Sequence, residues 1–137
     1  SDTVTFKGHI DNIYQELVIS DIFVLTSIAE GNSNAILEAM VAGLPIVSKN
    51  VGGTMMQVGS KGKGYISDVS SDGELLENLF TLVENKSLRE ALGFEMFDRS
   101  RDYFSIDIIS DNYIDMYSHV SVNKGDQVCQ IRNTVFD

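Results

Sequence analysis

A chain of 137 residues is long enough for one domain with a real core, and its hydrophobic fraction of 43% is ordinary for a globular protein. Ten basic against twenty acidic residues give a net charge of −10, which argues against nucleic acid and anionic lipid as main partners. The single cysteine, Cys129, excludes an internal disulfide, and no apolar run reaches the about 20 residues of a membrane span. We therefore expect a soluble, cytoplasmic protein.

The first elements are a predicted strand, a helix and a second strand. Residues 4–6 are a short strand candidate, and Asn12 is a predicted helix cap before apolar residues at helical spacing. Residues 21–26 form a nearly continuous apolar run, which is typical of a strand covered on both faces in a parallel sheet. His9 follows the first strand candidate, so it is a candidate crevice residue. The alternative is a loop histidine with a local hydrogen bond.

The central stretch joins the second strand to a helix. Residues 34–42 are largely good helix formers, and Gly43 is a strong stop signal. The polar junction 28–33 should lie at the carboxyl end of the strand, where open α/β sheets bind ligands. A helix that begins at Ser33 or Asn34 directs its first free amides at that crevice, which favours a phosphate. The alternative is ordinary capping by one of these two side chains.

Two glutamates flank this helix start. Glu30 precedes the helix, and Glu38 lies about one turn inside it. Carboxylates repel phosphate, so a ligand-binding interpretation has them accept hydrogen bonds from hydroxyls. A sugar-bearing nucleotide supplies both groups, with phosphates for the amides and hydroxyls for the glutamates. The alternative is that Glu38 is a solvated helix-face residue and Gly31 is ordinary loop punctuation.

The next elements repeat the alternation of strand and helix. Residues 44–48 are a second apolar run, and residues 49–53 are the next strand-to-helix corner, whose paired glycines permit close approach or positive φ. Residues 60–64 are a predicted flexible loop with solvated lysines. Residues 64–67 are a predicted short strand, and residues 68–73 a turn.

Three helices are predicted after this turn. The first begins at Glu74, the second at Ser87 with capping-box order, and the third near Phe104 with an end at about His119. The small basic cluster of Arg99 and Arg101 is interpreted as helix-end charge and not as a ligand site. The predicted buried stripe of the second helix is Leu88, Ala91, Leu92 and Met96.

The ordered motifs resemble the donor-binding half of the retaining group 1 glycosyltransferases of GT-B fold. The motifs are Glu30, seven residues, then Glu38-Ala39-Met40, followed by residues 42–47, Val51-Gly52-Gly53, and also residues 4–8 and 62–66. The resemblance covers about residues 4–120 and implies an α/β fold, a Rossmann-like parallel sheet flanked by helices, as an incomplete GT-B C-terminal domain. It implies a nucleotide-sugar-binding domain over residues 1–120. Residues 121–137 are unassigned, with weak strand character over residues 128–135.

The resemblance also implies a function and its residues. A hexosyltransferase-type enzyme would transfer a sugar from a nucleotide-diphosphate sugar to an acceptor with retention, in polysaccharide or glycoconjugate biosynthesis. It would need no metal or other cofactor, and the sequence has no His or Cys cluster with metal-ligand spacing. Glu30 would be catalytic, at the donor-sugar hydroxyls, and Glu38 would bind the ribose. The other donor-binding candidates are Gly31, Asn32, Ser33, Asn34, Ala35, Gly52 and Gly53 by resemblance, and His9 by position.

The sequence departs from the family pattern in two ways. The family commonly has a glutamate three positions after the second glycine, where this chain has Met56, followed by Gln57. The resemblance also implies an earlier strand and helix with an Arg and a Lys for the diphosphate, and an N-terminal acceptor-binding domain. Neither corresponds to a part of this chain, so we expect the chain alone to be inactive. Apolar residues of the last helix, which would face that domain, predict a possible dimer.

Two other functions compete with this prediction. A non-catalytic α/β nucleotide-binding or interaction module would keep the fold without the chemistry, and Met56 is the sequence argument for it. A hydrolase would use Glu30 and Glu38 as an acid and base pair. A glutamate on a helix beside an anion site suits ribose binding better than hydrolysis. The nucleotide base and the acceptor are not specified by the sequence.

Overall fold

The computed structural model describes residues 3–122, which contain a parallel sheet flanked by helices. The strands are β1 (Phe23–Leu25), β2 (Ile46–Lys49) and β3 (Ile66–Ser67), in the order β1-β2-β3. Phe23 pairs with Ile46, and Ser48 pairs with Ile66. The predicted α/β class with a parallel sheet is confirmed.

The helices alternate with the strands and then follow one another at the end of the described chain. They are α1 (Ile13–Leu17), α2 (Asn34–Val41), α3 (Thr54–Gly62), α4 (Asp72–Glu84), α5 (Lys86–Phe104) and α6 (Ile106–Val122), with a 3-10 turn at Lys63–Tyr65. Helix α5 packs against α2, α3 and α4. Among the described residues, no helix is long and apolar enough to cross a membrane.

The core lies around β2, the central strand, whose four residues are all buried. This burial suits the apolar half of the strand, Ile46 and Val47, because a central parallel strand is covered on both faces. The polar half, Ser48 and Lys49, is also buried, and both side chains make hydrogen bonds. Each fully buried aliphatic side chain contributes about 1.5–3 kcal/mol. The buried apolar cluster consists of Leu17, Ile36, Ala39, Met40, Leu44, Ile46, Val47, Val58, Ile66, Leu82, Leu92 and Met96.

Two predictions about the first half of the chain are wrong. Residues 4–6 do not form a strand, and Val4 and Phe6 are 66% and 95% exposed. A strand needs a hydrogen-bonding neighbour, and the described structure pairs nothing with this segment. The predicted loop 60–64 is helical, because α3 and the 3-10 turn occupy it. Gly62 packs so closely on Val58 that an added Cβ would lie 2.6 Å from the valine Cβ, so packing overrides the low helix propensity of glycine.

Helix starts in the second half also differ from the prediction. Helix α4 begins at Asp72 rather than Glu74, with Ser71 as its N-cap. Helix α5 is capped by Asn85, whose Oδ1 accepts from the Leu88 amide at 3.0 Å, and not by Ser87. Asn85 adopts an extended conformation that ends α4 and starts α5 at one residue.

The buried side of α5 differs from the predicted stripe at residue 91. Ala91 is exposed, whereas Gly93 is buried because it meets the Gly43 carbonyl, where an added Cβ would lie at 2.2 Å. The predicted weak strand at 128–135 and most of the tail 121–137 lie outside the described residues. The division of the chain at residue 120 stays a prediction.

Candidate functional site

The junction between β1 and α2 lies at the carboxyl edge of the sheet and is exposed. Glu30, Gly31 and Asn32 are all exposed there, and Ser33 is the buried N-cap residue of α2. The Ser33 side chain makes no capping hydrogen bond, so the alternative of ordinary capping is not what the structure shows. The first amides of α2, from Asn34 onward, therefore lack a side-chain acceptor. Such a helix start is suited to an anion.

The next junction, between β2 and α3, packs directly on the first. The Gly53 amide donates to the Gly31 carbonyl at 2.8 Å. Gly52 has φ +51°, and an added Cβ would lie 2.0 Å from the Gly31 carbonyl oxygen and 2.3 Å from that of Glu30. An added Cβ at Gly53 would lie 1.9 Å from Oδ1 of Asn32. Gly52 is therefore required by backbone contact between the two junctions, which is a local reason beside the predicted contact with a donor. A side chain at Gly53 would instead displace the exposed side chain of Asn32.

Gln57 is a residue that sequence reasoning did not assign. It is 1% exposed, its Nε2 donates to the Ser33 carbonyl at 3.0 Å, and its Oε1 accepts from the Ser33 amide at 3.4 Å. The sequence drew attention only to its neighbour, Met56. No local signal could have found this pair, because the two residues are 24 positions apart.

Glu38 lies on the exposed side of α2 and lines a cavity between α1 and α2. The cavity has a volume of about 390 Å³. Its lining residues are Asp11, Asn12, Ile13, Tyr14, Leu17, Leu37, Glu38 and Val41. A carboxylate beside an apolar wall and a tyrosine ring can accept hydrogen bonds from hydroxyls while a flat group packs next to it. Glu30 is not part of this lining, so the structure does not place both glutamates in one cavity.

His9 lies on the exposed segment before α1. Its Nε2 is 3.5 Å from Oδ1 of Asp11, and its side chain is 91% exposed. The alternative interpretation predicted a local hydrogen bond, and the structure shows only this ion-pair distance between two exposed side chains. His9 does not line the cavity, although Asp11 does.

Several lysines of the described chain are engaged by carboxylates. Lys49, at the end of β2, donates to Oδ1 of Asp72 at 2.6 Å and to the Val69 carbonyl at 3.0 Å. Lys7 pairs with Glu16, and Lys61 pairs with Glu95. The carboxylates that pair with these three lysines, Asp72, Glu16 and Glu95, all lie outside the β1–α2 junction. No cluster of three or more metal-ligating side chains is present in residues 3–122.

Comparison with known proteins gives one family match and several similar proteins, each aligned over most of this chain. Residues 1–95 match the family described as "Glycosyl transferases group 1". An N-acetyl-alpha-D-glucosaminyl L-malate synthase of Bacillus anthracis is 27% identical over 119 residues, covering 87% of this chain and 31% of that protein. A UDP-Gal:alpha-D-GlcNAc-diphosphoundecaprenol alpha-1,3-galactosyltransferase of Escherichia coli is 31% identical over 120 residues, covering 81% and 29%.

A third relative, the capsular polysaccharide biosynthesis glycosyltransferase CapM of Staphylococcus aureus, is 29% identical over 98 residues, covering 72% of this chain and 26% of that protein. The chain thus spans between 26% and 31% of the length of these curated relatives.

Proposed function

The chain belongs to the group 1 glycosyl transferases, and we propose that it forms the part of such an enzyme that binds a nucleotide-diphosphate sugar. One observation carries the proposal, namely that α2 begins without a side-chain cap and presents Glu38 one turn later in a cavity. Amides and a carboxylate arranged in this order suit a ligand that has a diphosphate at one end and a ribose at the other.

Each part of the donor then has a partner in this proposal. Glu38 accepts hydrogen bonds from the ribose hydroxyls, and the nucleobase packs in the cavity beside Tyr14. The amides from Asn34 onward bind the diphosphate and stabilise its negative charge as it departs. Glu30 accepts from hydroxyls of the donor sugar, near the transferred carbon. The name of the Escherichia coli relative contains a uridine diphosphate sugar, which supports this class of donor.

The reaction is proposed for the enzyme to which this chain contributes. It transfers a hexosyl group with retention to an acceptor, in polysaccharide or glycoconjugate biosynthesis. The names of the galactosyltransferase and CapM relatives support the hexosyl group and the polysaccharide pathway. Since the chain spans under a third of these relatives, we propose that transfer requires an acceptor-binding domain and that the chain alone does not turn over donor. Sugar transfer to an acceptor by the chain alone would refute this part.

Calorimetric titration with UDP-, GDP- and ADP-sugars tests the proposal. We expect one nucleotide to bind, and Glu38→Ala to weaken that binding at least about tenfold, because the ribose loses its acceptor. Glu77→Ala is the matched control, since Glu77 is an exposed glutamate of α4 and does not line the cavity. Equal affinity of the wild type and Glu38→Ala would favour the interaction module instead.

The dimer is a separate proposal. Helix α6 leaves apolar side chains exposed, among them Ile106 at 75%, Ile114 at 67% and Tyr117 at 65%. Burying them against a second copy would remove apolar area from water. Sedimentation velocity over a range of concentrations would detect the dimer, and Ile114→Lys should abolish it. A monomer at all concentrations would refute it.

A further inference from the structure

The Gln57 side chain makes two hydrogen bonds to the backbone of Ser33, and the donor contacts proposed above do not account for them. We infer, on the premise of the proposed function, that Gln57 is a positioning residue, which holds the start of α2 so that its free amides face the donor diphosphate. It acts on the donor through Ser33 and has no donor contact of its own.

The contact uses both halves of the glutamine amide. Nε2 donates to the Ser33 carbonyl and Oε1 accepts from the Ser33 amide, so one side chain satisfies both backbone groups of the N-cap residue. The Ser33 carbonyl also accepts from the Leu37 amide at 3.4 Å, which is the first hydrogen bond of the helix. Gln57 therefore fixes the peptide groups that set the direction of α2 at its start. Only a side chain with one donor and one acceptor at this length can do so.

Burial makes this contact rigid. Gln57 is 1% exposed and Ser33 is 4% exposed, so water cannot replace either hydrogen bond without opening the structure. The contact also joins the two junctions that already touch at Gly53 and Gly31. The start of α2 is thus held to the β2–α3 unit at two points.

Arg99 of α5 holds the backbone of Gln57 by a hydrogen bond to its carbonyl. Gly59 interrupts α3 with φ 63° and ψ −168°, so carbonyls in the preceding turn need other donors. Arg99 supplies them, with Nε at 2.7 Å from the Gln57 carbonyl and Nη2 at 2.7 Å from the Met56 carbonyl. Its guanidinium also lies 4.6 Å from the ring centroid of Tyr103. Arg99 is therefore a support for α3 and not the helix-end charge that the sequence suggested.

The test compares affinities for the sugar nucleotide that the wild type binds. Gln57→Met keeps a similar side-chain length without the donor and the acceptor, and should raise the Kd about tenfold. Leu82→Val is the control for stability, because it trims a fully buried side chain in α4, a helix that packs on β2, β3 and α5. Its Kd should equal that of the wild type under conditions where it is folded.

Gln57→Glu gives a readout that a purely structural role would not move. A carboxylate can accept from the Ser33 amide but repels the Ser33 carbonyl, whereas a protonated carboxyl offers one donor and one acceptor like the amide. Its affinity should therefore approach the wild-type value as the pH falls toward about 5, while Gln57→Met shows no such recovery. The Ser33 amide resonance should shift in both variants.

Two sets of results would overturn the inference. Wild-type affinity in Gln57→Met, or an equal loss of affinity in Leu82→Val, would refute the role of Gln57 alone, provided that Glu38→Ala still weakens binding. A wild-type chain that binds no sugar nucleotide, or a Glu38→Ala variant that binds like the wild type, would refute the proposed function and this inference together.

Discussion

Two strand-to-helix junctions at the same edge of the sheet are built in opposite ways. We call residues 26–33, between β1 and α2, the open junction, and residues 68–71, between β3 and α4, the closed junction. Both follow a parallel strand and both place a serine at the N-cap, Ser33 and Ser71. They differ in where the hydrogen-bonding groups of the junction find partners.

Hydrogen-bonding groups of the closed junction find partners within the junction and in the first turn of α4. The Ser71 hydroxyl accepts from the Glu74 amide at 3.3 Å, and Oε2 of Glu74 accepts from the Asp68 amide at 3.0 Å. Ser70 donates to Asp68 through its hydroxyl and its backbone amide, and these hydrogen bonds lower the pKa of the Asp68 carboxyl, the hydroxyl having the larger effect. Lys49 joins the junction to β2 through Val69 and Asp72.

The backbone of the open junction is hydrogen-bonded by residues of α3 and of the loop before it. None of the junction's own side chains caps the start of α2. Gln57 and Gly53 hold its backbone, while Ser33 makes no capping bond. A fold that caps one helix with its own serine and leaves another uncapped keeps donors available at only one of them. The difference teaches that a serine before a helix does not by itself identify a cap. Because α1 and α3 also begin without a side-chain cap, the ligand site at α2 is argued from Glu38 and its cavity as well as from the free amides.

The largest effect is expected at the contact that holds the open junction. Gly52→Ala should destabilise the protein by about 2–5 kcal/mol, because a left-handed alanine costs about 1–2 kcal/mol and overpacking about 1–3 kcal/mol. Gly43→Ala is the matched control, since Gly43 also has positive φ, at +75°, but an added Cβ there would lie 4.0 Å from its nearest neighbour, the Gly93 carbonyl oxygen. Denaturant unfolding measures both. Equal losses would contradict the proposed clash with Gly31.

The next largest effect tests how the closed junction is joined to the sheet. Lys49→Met should lower the free energy of unfolding by about 1–2 kcal/mol, because two hydrogen bonds of a largely buried ammonium group are lost. Lys86→Met is the control, since its ion pair with Glu90 is exposed and should contribute only about 0.3–0.5 kcal/mol. Donor affinity should not change in either variant. A loss of affinity in Lys49→Met would show that the closed junction also contributes to the site.

A paired substitution of the two serines compares the junctions directly. Ser71→Ala should cost about 1 kcal/mol, the usual value for an N-cap. Ser33→Ala should cost less, because its hydroxyl makes no capping bond. Thermal unfolding of the two variants provides the measurement. A larger loss at Ser33 would mean that the open junction is capped after all.

The smallest effect concerns pH. Ser70→Ala should raise the pKa of Asp68, because the larger of its two stabilising hydrogen bonds is removed. A carboxyl whose pKa is lowered in the folded state adds stability above its unfolded pKa of about 3.9, and this stability is lost as the pH falls through the folded-state value. The variant should therefore lose less stability in acid. A carboxyl-carbon NMR titration of Asp68 in wild type and variant tests this, and identical curves would contradict it.

Local patterns were enough to predict much of the sheet and of the open junction. The apolar runs gave β1 and β2, and Gly43 ends α2 with a positive φ, as its stop signal indicated. These features depend on residues that are adjacent in sequence. The strand predicted over residues 4–6 is wrong, because a strand requires a hydrogen-bonding neighbour and the local sequence does not specify one.

Contacts between distant residues account for what was missed. The hydrogen bonds of Gln57 to Ser33 and of Arg99 to Gln57 join residues 24 and 42 positions apart. Nothing in the sequence near any of them specifies the partner. The glycine pair Gly52 and Gly53 was predicted to be special, yet its packing against the open junction could be seen only in three dimensions.

An NMR titration of the chain with UDP-, GDP- and ADP-sugars at millimolar concentration tests the contrast between the junctions most directly. We expect one nucleotide to shift the amides from Glu30 to Glu38 and those of Gly52 and Gly53, while the amides of residues 68–71 stay in place. Shifts of equal size at both junctions, or a folded chain in which none of these amides responds, would contradict the assignment of the open junction as the donor site.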